Sequence, residues 1–113
     1  MAIADYTQAI RLNPEYAKAY NNRGATYRRK GDIDRAIADY TRAIGLDPDN
    51  AAPAELAKTY YNRGVAYYSK GDYRRALTEW EQALRINPSD TGVRDAVEAL
   101  RRAGSEGITG RRH

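Results

Sequence analysis

The sequence predicts an all-α fold, a superhelical solenoid of antiparallel helix pairs, and three observations support this prediction. Residues 20–27 (YNNRGATY) return as residues 60–67 (YYNRGVAY). A Lys-Gly-Asp turn follows each copy, at residues 30–32 and at residues 70–72. Three further segments end in Asn-Pro or Asp-Pro, at Pro14, Pro48 and Pro88. Repetition at intervals of roughly 20–50 residues is typical of stacked helical units.

Each repeated unit is predicted to contain two helices joined by a tight turn. Residues 17–30 favour a first helix, and Gly31 suits the left-handed residue that ends it. Asp32 is a good N-cap for the second helix, which shows an apolar stripe at helical spacing. Residues 57–72 repeat this arrangement. The small residues that would let the paired helices approach closely are Gly24 with Ala36, and Gly64 with Ala76.

These residues resemble the tetratricopeptide repeat (TPR) family, whose helix–turn–helix unit of about 34 residues carries W-x2-L-G-x2-Y, A-x3-F and a closing Pro. The matching positions are Tyr20, Gly24, Tyr27, Ala36, Tyr40 and Pro48, then Tyr60, Gly64, Tyr67, Ala76, Trp80 and Pro88. Arg23 and Arg63 stand where the family prefers Leu. The resemblance implies a helical-repeat scaffold for protein binding.

The repeat boundaries predict a single TPR-like array over residues 1–103. Its parts are a second helix without its first (2–14), a repeat (17–50), an insertion (51–56), a repeat (57–90) and a capping helix (91–103), followed by a flexible tail (104–113). Pro53 suits a first helical position, so the insertion is predicted to extend the next helix at its N-terminus. The opening half repeat indicates either a piece of a longer array or a face covered by something else.

Composition argues against an enzyme and against a metal or other cofactor. The 113 residues include no cysteine, and the one histidine is His113, so neither a thiolate site nor a catalytic histidine is expected. Hydrophobic residues at 42% and charged residues at 30% are typical of a folded chain. No apolar run reaches transmembrane length and no secretory signal is evident, so we expect a cytoplasmic protein, or a fragment of a longer one.

Basic residues are concentrated on the predicted first helices. Residues 17–30 and 57–70 together hold 8 of the 19 Lys and Arg residues and none of the 15 Asp and Glu residues. This distribution predicts a basic concave face for an acidic peptide segment. The alternative is an ordinary solvated face, because Lys and Arg are also good helix formers.

A peptide-binding groove is therefore predicted along the two first helices. Asn22 and Asn62 recur at the same phase, and an Asn amide can donate to and accept from a peptide backbone. Tyr61 and Tyr68 either form a pocket for an apolar side chain or pack on a neighbouring helix. The predicted peptide-binding residues are Lys18, Asn21, Asn22, Ala25, Arg28, Arg29, Lys58, Tyr61, Asn62, Val65 and Tyr68.

The remaining aromatic residues are predicted to form the core: Tyr20, Tyr27, Tyr40, Tyr60, Tyr67 and Trp80. Binding of a protein or peptide partner is the favoured function. Self-assembly through the end helices is the alternative, and RNA binding ranks last because the net charge is only +4. Chaperone-binding members of the family use a clamp spread over three repeats. With two complete units, this chain is not predicted to bind a chaperone tail.

Overall fold

A computed structural model describes residues 3–46 and 53–111, with side chains described through residue 104. This part of the chain forms six α-helices, which confirms the all-α prediction: α1 (Ile3–Leu12), α2 (Ala17–Arg29), α3 (Ile33–Leu46), α4 (Pro53–Ser69), α5 (Tyr73–Ile86) and α6 (Thr91–Arg111). Each helix packs on the next, giving an elongated array of 56 × 29 × 20 Å. The first helices of the two repeats are α2 and α4, and the second helices are α3 and α5.

The turns that join the paired helices have the predicted geometry. Gly31 and Gly71 have φ of 88° and 84°, a left-handed conformation that glycine adopts without strain. Asp32 and Asp72 then cap α3 and α5, because each carboxylate accepts a hydrogen bond from the backbone N–H three residues later, at 3.3 Å. The same local chemistry therefore produces both hairpins.

Close helix approach within each hairpin depends on a glycine under an aromatic ring. Tyr40 of α3 lies over Gly24, and Trp80 of α5 lies over Gly64. A Cβ placed on either glycine would come within 2.8 Å of the Tyr40 ring or 2.4 Å of Trp80 Nε1. Helix propensity disfavours glycine at these positions, so packing is the reason for its presence.

The predicted aromatic core is only partly correct. Tyr40 and Trp80 are buried, together with small residues such as Ala36 and Ala76. The other four aromatic residues, Tyr20, Tyr27, Tyr60 and Tyr67, are half-buried. They lie at the rim of the helix interface, within 6 Å of the guanidinium groups of Arg23, Arg63 or an Arg of the second helix. An array only two helices deep leaves such rings one exposed edge.

The first residue of α4 and the last residue of α6 can be compared with the predicted boundaries. Helix α4 begins at Pro53, so the last four residues of the insertion are helical, whereas residues 51 and 52 and the end of the first repeat lie outside the described residues. Helix α6 continues to Arg111, so the predicted helix end at residue 103 is wrong. Gly104 does not adopt the left-handed conformation that would have ended the helix there.

None of the helices in the described residues is long and apolar enough to cross a membrane.

We expect Gly64→Ala to lower the free energy of unfolding by about 1–3 kcal/mol, because the new methyl group overlaps the buried Trp80 ring and this cost exceeds the gain in helix propensity. Gly45→Ala is the matched control. A Cβ at Gly45 meets no atom within 4 Å, so this change should raise the stability by about 0.5 kcal/mol. Urea unfolding measures both, and equal effects of the two substitutions would contradict the packing argument.

Candidate functional site

The predicted peptide-binding residues lie on two adjacent helices. Lys18, Asn21, Asn22, Ala25, Arg28 and Arg29 belong to α2, whereas Lys58, Tyr61, Asn62, Val65 and Tyr68 belong to α4. These helices contact each other directly as well as through α3. We call the surface formed by these residues the first-helix face.

An asparagine pair joins the two halves of the first-helix face. Asn62 Nδ2 donates a hydrogen bond to Asn21 Oδ1 at 3.2 Å. Asn21 is only 4% exposed, because α4 packs over it. Asn21 thus positions Asn62 and presents little surface to a ligand. Asn22, the residue that matches Asn62 by sequence phase, is half-buried and lies one residue further along α2.

Two clefts open near the N-terminal ends of α2, α4 and α6. The cleft beside Lys18 measures about 270 Å³ and lies between α2 and α4, and the cleft beside Lys58 measures about 460 Å³ and lies between α4 and α6. Glu15 and Glu55 line the first cleft, and Asp90 lines the second. Acidic side chains therefore adjoin the predicted basic face at this end, and one of them, Glu55, belongs to α4 because that helix begins before Ala57.

Two arginines of the first helices form ion pairs with carboxylates of the second helices. Arg23 makes a bidentate pair with Asp39 of α3, with both N···O distances 2.8 Å, and Arg23 Nη1 also donates to Thr7 Oγ1 of α1. Arg63 pairs with Glu79 of α5 through Nη2 alone, which donates to both carboxylate oxygens at 2.7 and 2.9 Å, and its Nη1 donates to the Thr41 hydroxyl of α3. The hydrogen bonds that Arg23 donates to Asp39 hold the pKa of the Arg23 guanidinium above its usual value. At the position where the family prefers Leu, each arginine thus connects three helices.

The ion pairs reduce the number of basic groups that can attract a ligand. Lys70 also has a carboxylate partner, since its Nζ lies 2.7 Å from Asp34 Oδ1. Within the described part of the chain, the first-helix basic residues with no carboxylate partner are Lys18, Arg28, Arg29, Lys30 and Lys58. Three of these five are consecutive at the C-terminal end of α2. The positive charge is therefore strongest at that end.

Arg28 reaches toward the buried hydroxyl of Tyr40. Among the described residues, neither Arg28 Nε nor Tyr40 Oη has a hydrogen-bond partner, although both atoms are buried. Burial raises the pKa of the Tyr40 hydroxyl, and the nearby guanidinium of Arg28 offsets this only in part. The Tyr40 hydroxyl is thus removed from water on folding without gaining a hydrogen bond to another described residue.

The α4 tyrosines pack on the neighbouring helix. Tyr61 and Tyr68 both stack on Trp80, with ring centroids 5.8 and 5.9 Å away. Val65 packs into the same apolar cluster. Tyr68 nevertheless stays 47% exposed and contacts Tyr73, which is 52% exposed. The sequence reasoning missed Tyr73, which begins α5 and which only the hairpin turn brings beside Tyr68.

No group of three or more His, Cys, Asp or Glu side chains converges as a metal site in the part of the chain searched, which comprises the described residues.

Comparison with protein families finds the tetratricopeptide repeat at residues 17–50 and 57–90, and a TPR repeat at residues 1–31. These matches confirm the resemblance inferred from the sequence. No curated protein matches the chain in sequence.

Several solved structures have a similar fold. The first TPR of Spaghetti (RPAP3) bound to the HSP90 peptide SRMEEVD aligns with a TM-score of 0.80 and 21% identity, covering 91% of this chain and 77% of that one. The N-terminal domain of stress-induced protein-1 (STI-1) from C. elegans gives 0.79 and 23%, covering 85% and 76%. The Arabidopsis OM64 TPR domain gives 0.78 and 31%, covering 89% and 78%.

We expect Tyr40→Phe to raise the free energy of unfolding by about 1 kcal/mol, because it removes a buried hydroxyl that has no hydrogen-bond partner among the described residues. The raised pKa of Tyr40 favours the protonated form in the folded state. The stability that this pKa difference contributes is therefore fully present below about pH 10. It is lost as the pH rises through the folded-state pKa.

The Tyr40→Phe protein should consequently lose less stability than the wild type above about pH 10. Urea unfolding across this pH range measures the difference. The control is Tyr73→Phe, which removes an exposed hydroxyl and should change the stability by less than about 0.5 kcal/mol. A Tyr40→Phe variant less stable than the wild type at neutral pH would contradict the expectation.

Proposed function

Because the chain belongs to the tetratricopeptide repeat family, whose members are typically non-catalytic interaction modules, we propose that it is a scaffold that binds an extended, acidic peptide segment on the first-helix face. The observation that carries this proposal is a set of five basic residues on α2, on its C-cap Lys30 and on α4 that lack a carboxylate partner among the described residues. The second helices α3 and α5, by contrast, carry the carboxylates of Asp34, Asp39, Glu79 and Glu81.

The acidic group of the ligand is expected at the C-terminal end of α2. Lys18 and Lys58 share their clefts with Glu15, Glu55 or Asp90, so the potential there is mixed. Arg28 lies ten residues beyond Lys18, which corresponds to about 15 Å along the helix, and Arg29 follows it. A carboxylate near this pair would meet several cations and no acid of the two clefts. Electrostatic attraction of this kind favours capture and fixes orientation.

An apolar ligand side chain is expected beside Tyr68. Tyr68 stands on α4 at the register that Arg28 occupies on α2, and its exposed ring is held in place by stacking on Trp80. Neighbouring helices lie about 8–10 Å apart, and an extended peptide advances about 3.3 Å per residue. A ligand that crosses from α2 to α4 would therefore carry its acidic and apolar residues about three positions apart.

The asparagines divide into two roles in this proposal. Asn22 keeps its side-chain amide available to a peptide backbone, because the structure gives that amide no hydrogen-bond partner among the described residues. Asn62 contributes in part through its bond to Asn21, which holds α2 and α4 in register. Backbone recognition by amides would leave the choice of ligand side chains to the basic residues and to Tyr68.

We expect Arg28→Gln/Arg29→Gln to weaken binding of acidic peptides by about tenfold, or about 1.4 kcal/mol, because it removes the strongest positive charge of the first-helix face. The probe is a peptide array in which each Glu-containing peptide has a Gln-containing counterpart. Wild-type protein should retain the acidic members preferentially, and added salt should reduce that preference.

The matched control is Arg42→Gln/Arg74→Gln, which removes the same charge from exposed positions of α3 and α5. This variant should bind within about twofold of the wild type, since a surface charge far from the ligand is screened by salt. Thermal unfolding of both variants verifies the fold. An equal loss of binding in the two variants would mean that net charge alone explains the preference for acidic peptides. That result would refute the proposed site.

We expect Asn22→Ala to weaken peptide binding by about 1 kcal/mol without lowering the melting temperature, since it removes one hydrogen bond to the ligand. Asn62→Ala should lower both the peptide affinity and the melting temperature, because it also breaks the hydrogen bond to Asn21. Calorimetric titration with the tightest peptide from the array and thermal unfolding measure the two quantities. Unchanged binding by the Asn22→Ala protein would exclude its proposed role.

A further inference from the structure

The two hairpin turns lie side by side along one edge of the array. Lys70 Nζ, at the end of α4, lies 2.7 Å from Asp34 Oδ1, at the start of α3, so the second turn adjoins the first. We call residues 28–35 and 68–75 the hairpin edge. Because neighbouring helices are antiparallel, the connections from α1 to α2 and from α5 to α6 lie at the opposite edge.

The hairpin edge holds all of the net positive charge of the sequence. Its 16 residues include seven of the 19 Lys and Arg residues and three of the 15 Asp and Glu residues. The rest of the sequence therefore has 12 of each and is neutral. Six of the seven basic side chains are exposed. A net charge of +4 that is small for the whole chain is thus concentrated on one exposed edge.

Four cations of the hairpin edge have no carboxylate partner among the described residues. The three carboxylates of the edge each pair with one cation, in the pairs Asp32 with Arg35, Asp34 with Lys70, and Asp72 with Arg75. These pairs are solvent-exposed, so each is weak and screened by salt. The cations left over are Arg28, Arg29, Lys30 and Arg74.

Two exposed aromatic rings adjoin these cations. Tyr68 and Tyr73 contact each other with ring centroids 4.9 Å apart, and they are 47% and 52% exposed. Tyr68 is held in place by stacking on Trp80. Arg74 follows Tyr73 directly in the chain. The edge thus combines fixed aromatic surface with an excess of positive charge.

We propose that the hairpin edge binds an unpaired segment of RNA or DNA. Its phosphates lie on the cations, and a base stacks on the exposed Tyr73 ring, with Tyr68 beside it. Basic residues that follow the backbone, together with aromatic rings on which bases stack, are the features by which proteins bind single strands. In a duplex the bases stack on each other, so the edge selects unpaired nucleotides.

An anionic membrane fits the same edge less well. Residues that anchor a protein in a bilayer project away from it into the interfacial region. Tyr68 instead packs on Trp80, and Tyr73 packs on Tyr68. Rings held against the array in this way present surface for stacking.

The inference goes beyond the proposed function, because Lys30, Tyr73 and Arg74 lie outside the first-helix face. The Tyr73→Leu protein should bind acidic peptides within about twofold of the wild type. Loss of either activity can therefore be recognised while the other is retained.

The probes are fluorescein-labelled oligouridine and oligothymidine of about ten nucleotides, titrated with the full chain and followed by anisotropy. Lys30→Gln/Arg74→Gln should weaken binding by about tenfold and should lower the slope of log K against log salt by about 1.4, as expected for two lost phosphate contacts. Arg11→Gln/Arg85→Gln is the matched control. It removes the same charge from exposed positions near the opposite edge, so the salt slope should stay unchanged and the affinity should change by less than about twofold.

Tyrosine variants test the stacking. Tyr73→Leu should weaken binding by about tenfold, because leucine keeps an apolar side chain but offers no ring to a base. Tyr73→Phe should bind within about twofold of the wild type. The control is Tyr16→Leu, which replaces an exposed tyrosine at the opposite edge and should also bind within about twofold. Thermal unfolding verifies the fold of each variant.

The inference is overturned by equal effects of the two charge variants, by equal effects of Tyr73→Leu and Tyr16→Leu, or by binding of a duplex as tight as that of the single strands. An absence of oligonucleotide binding at low salt and about 0.1 mM protein would overturn it too, and retention by anionic phospholipid vesicles in that case would identify a membrane as the occupant. Preference for oligouridine or for oligothymidine distinguishes RNA from DNA, and either preference supports the inference.

Discussion

The contact between a glycine of the first helix and an aromatic ring of the second is the constraint on which the array depends. Because Gly24 and Gly64 have no side chain, the rings of Tyr40 and Trp80 pack directly against the backbone of the first helix. This approach also buries Ala36 and Ala76 completely. The other buried hydrophobic residues of the described chain are small or medium in size: Ala19, Ala43, Ala57, Ala66, Ala83, Val93 and Val97.

The ion pairs of Arg23 and Arg63 follow from that close approach. Once the helices are in contact, each arginine lies opposite the carboxylate that precedes the buried ring, at Asp39 or Glu79. Its Nη1 donates a hydrogen bond to a threonine of the preceding second helix. Removing one partner of such a pair would leave a largely desolvated charge, so the pair specifies which helices adjoin. The arginine therefore contributes to register between units as well as within them.

The same pairing determines the electrostatics of the first-helix face. Two arginines and Lys70 are neutralised by carboxylates of the second helices, and the clefts bring Glu15, Glu55 and Asp90 close to Lys18 and Lys58. What remains is a local positive region at the end of α2, beside an aromatic surface on α4. A face with two different halves favours a ligand with two different groups, and its selectivity would come from their spacing.

The sequence by itself determined the helices, the turns and the family, because Gly31, Asp32 and their repeats act through local backbone chemistry and periodicity. It also placed Asn62 and the predicted ligand residues on the first helices. Only the tertiary structure decided that Asn62 meets Asn21, that Arg23 is paired across the hairpin, and that Tyr73 adjoins Tyr68. These outcomes depend on how one helix lies against another, and composition and periodicity along a single helix carry no information about that.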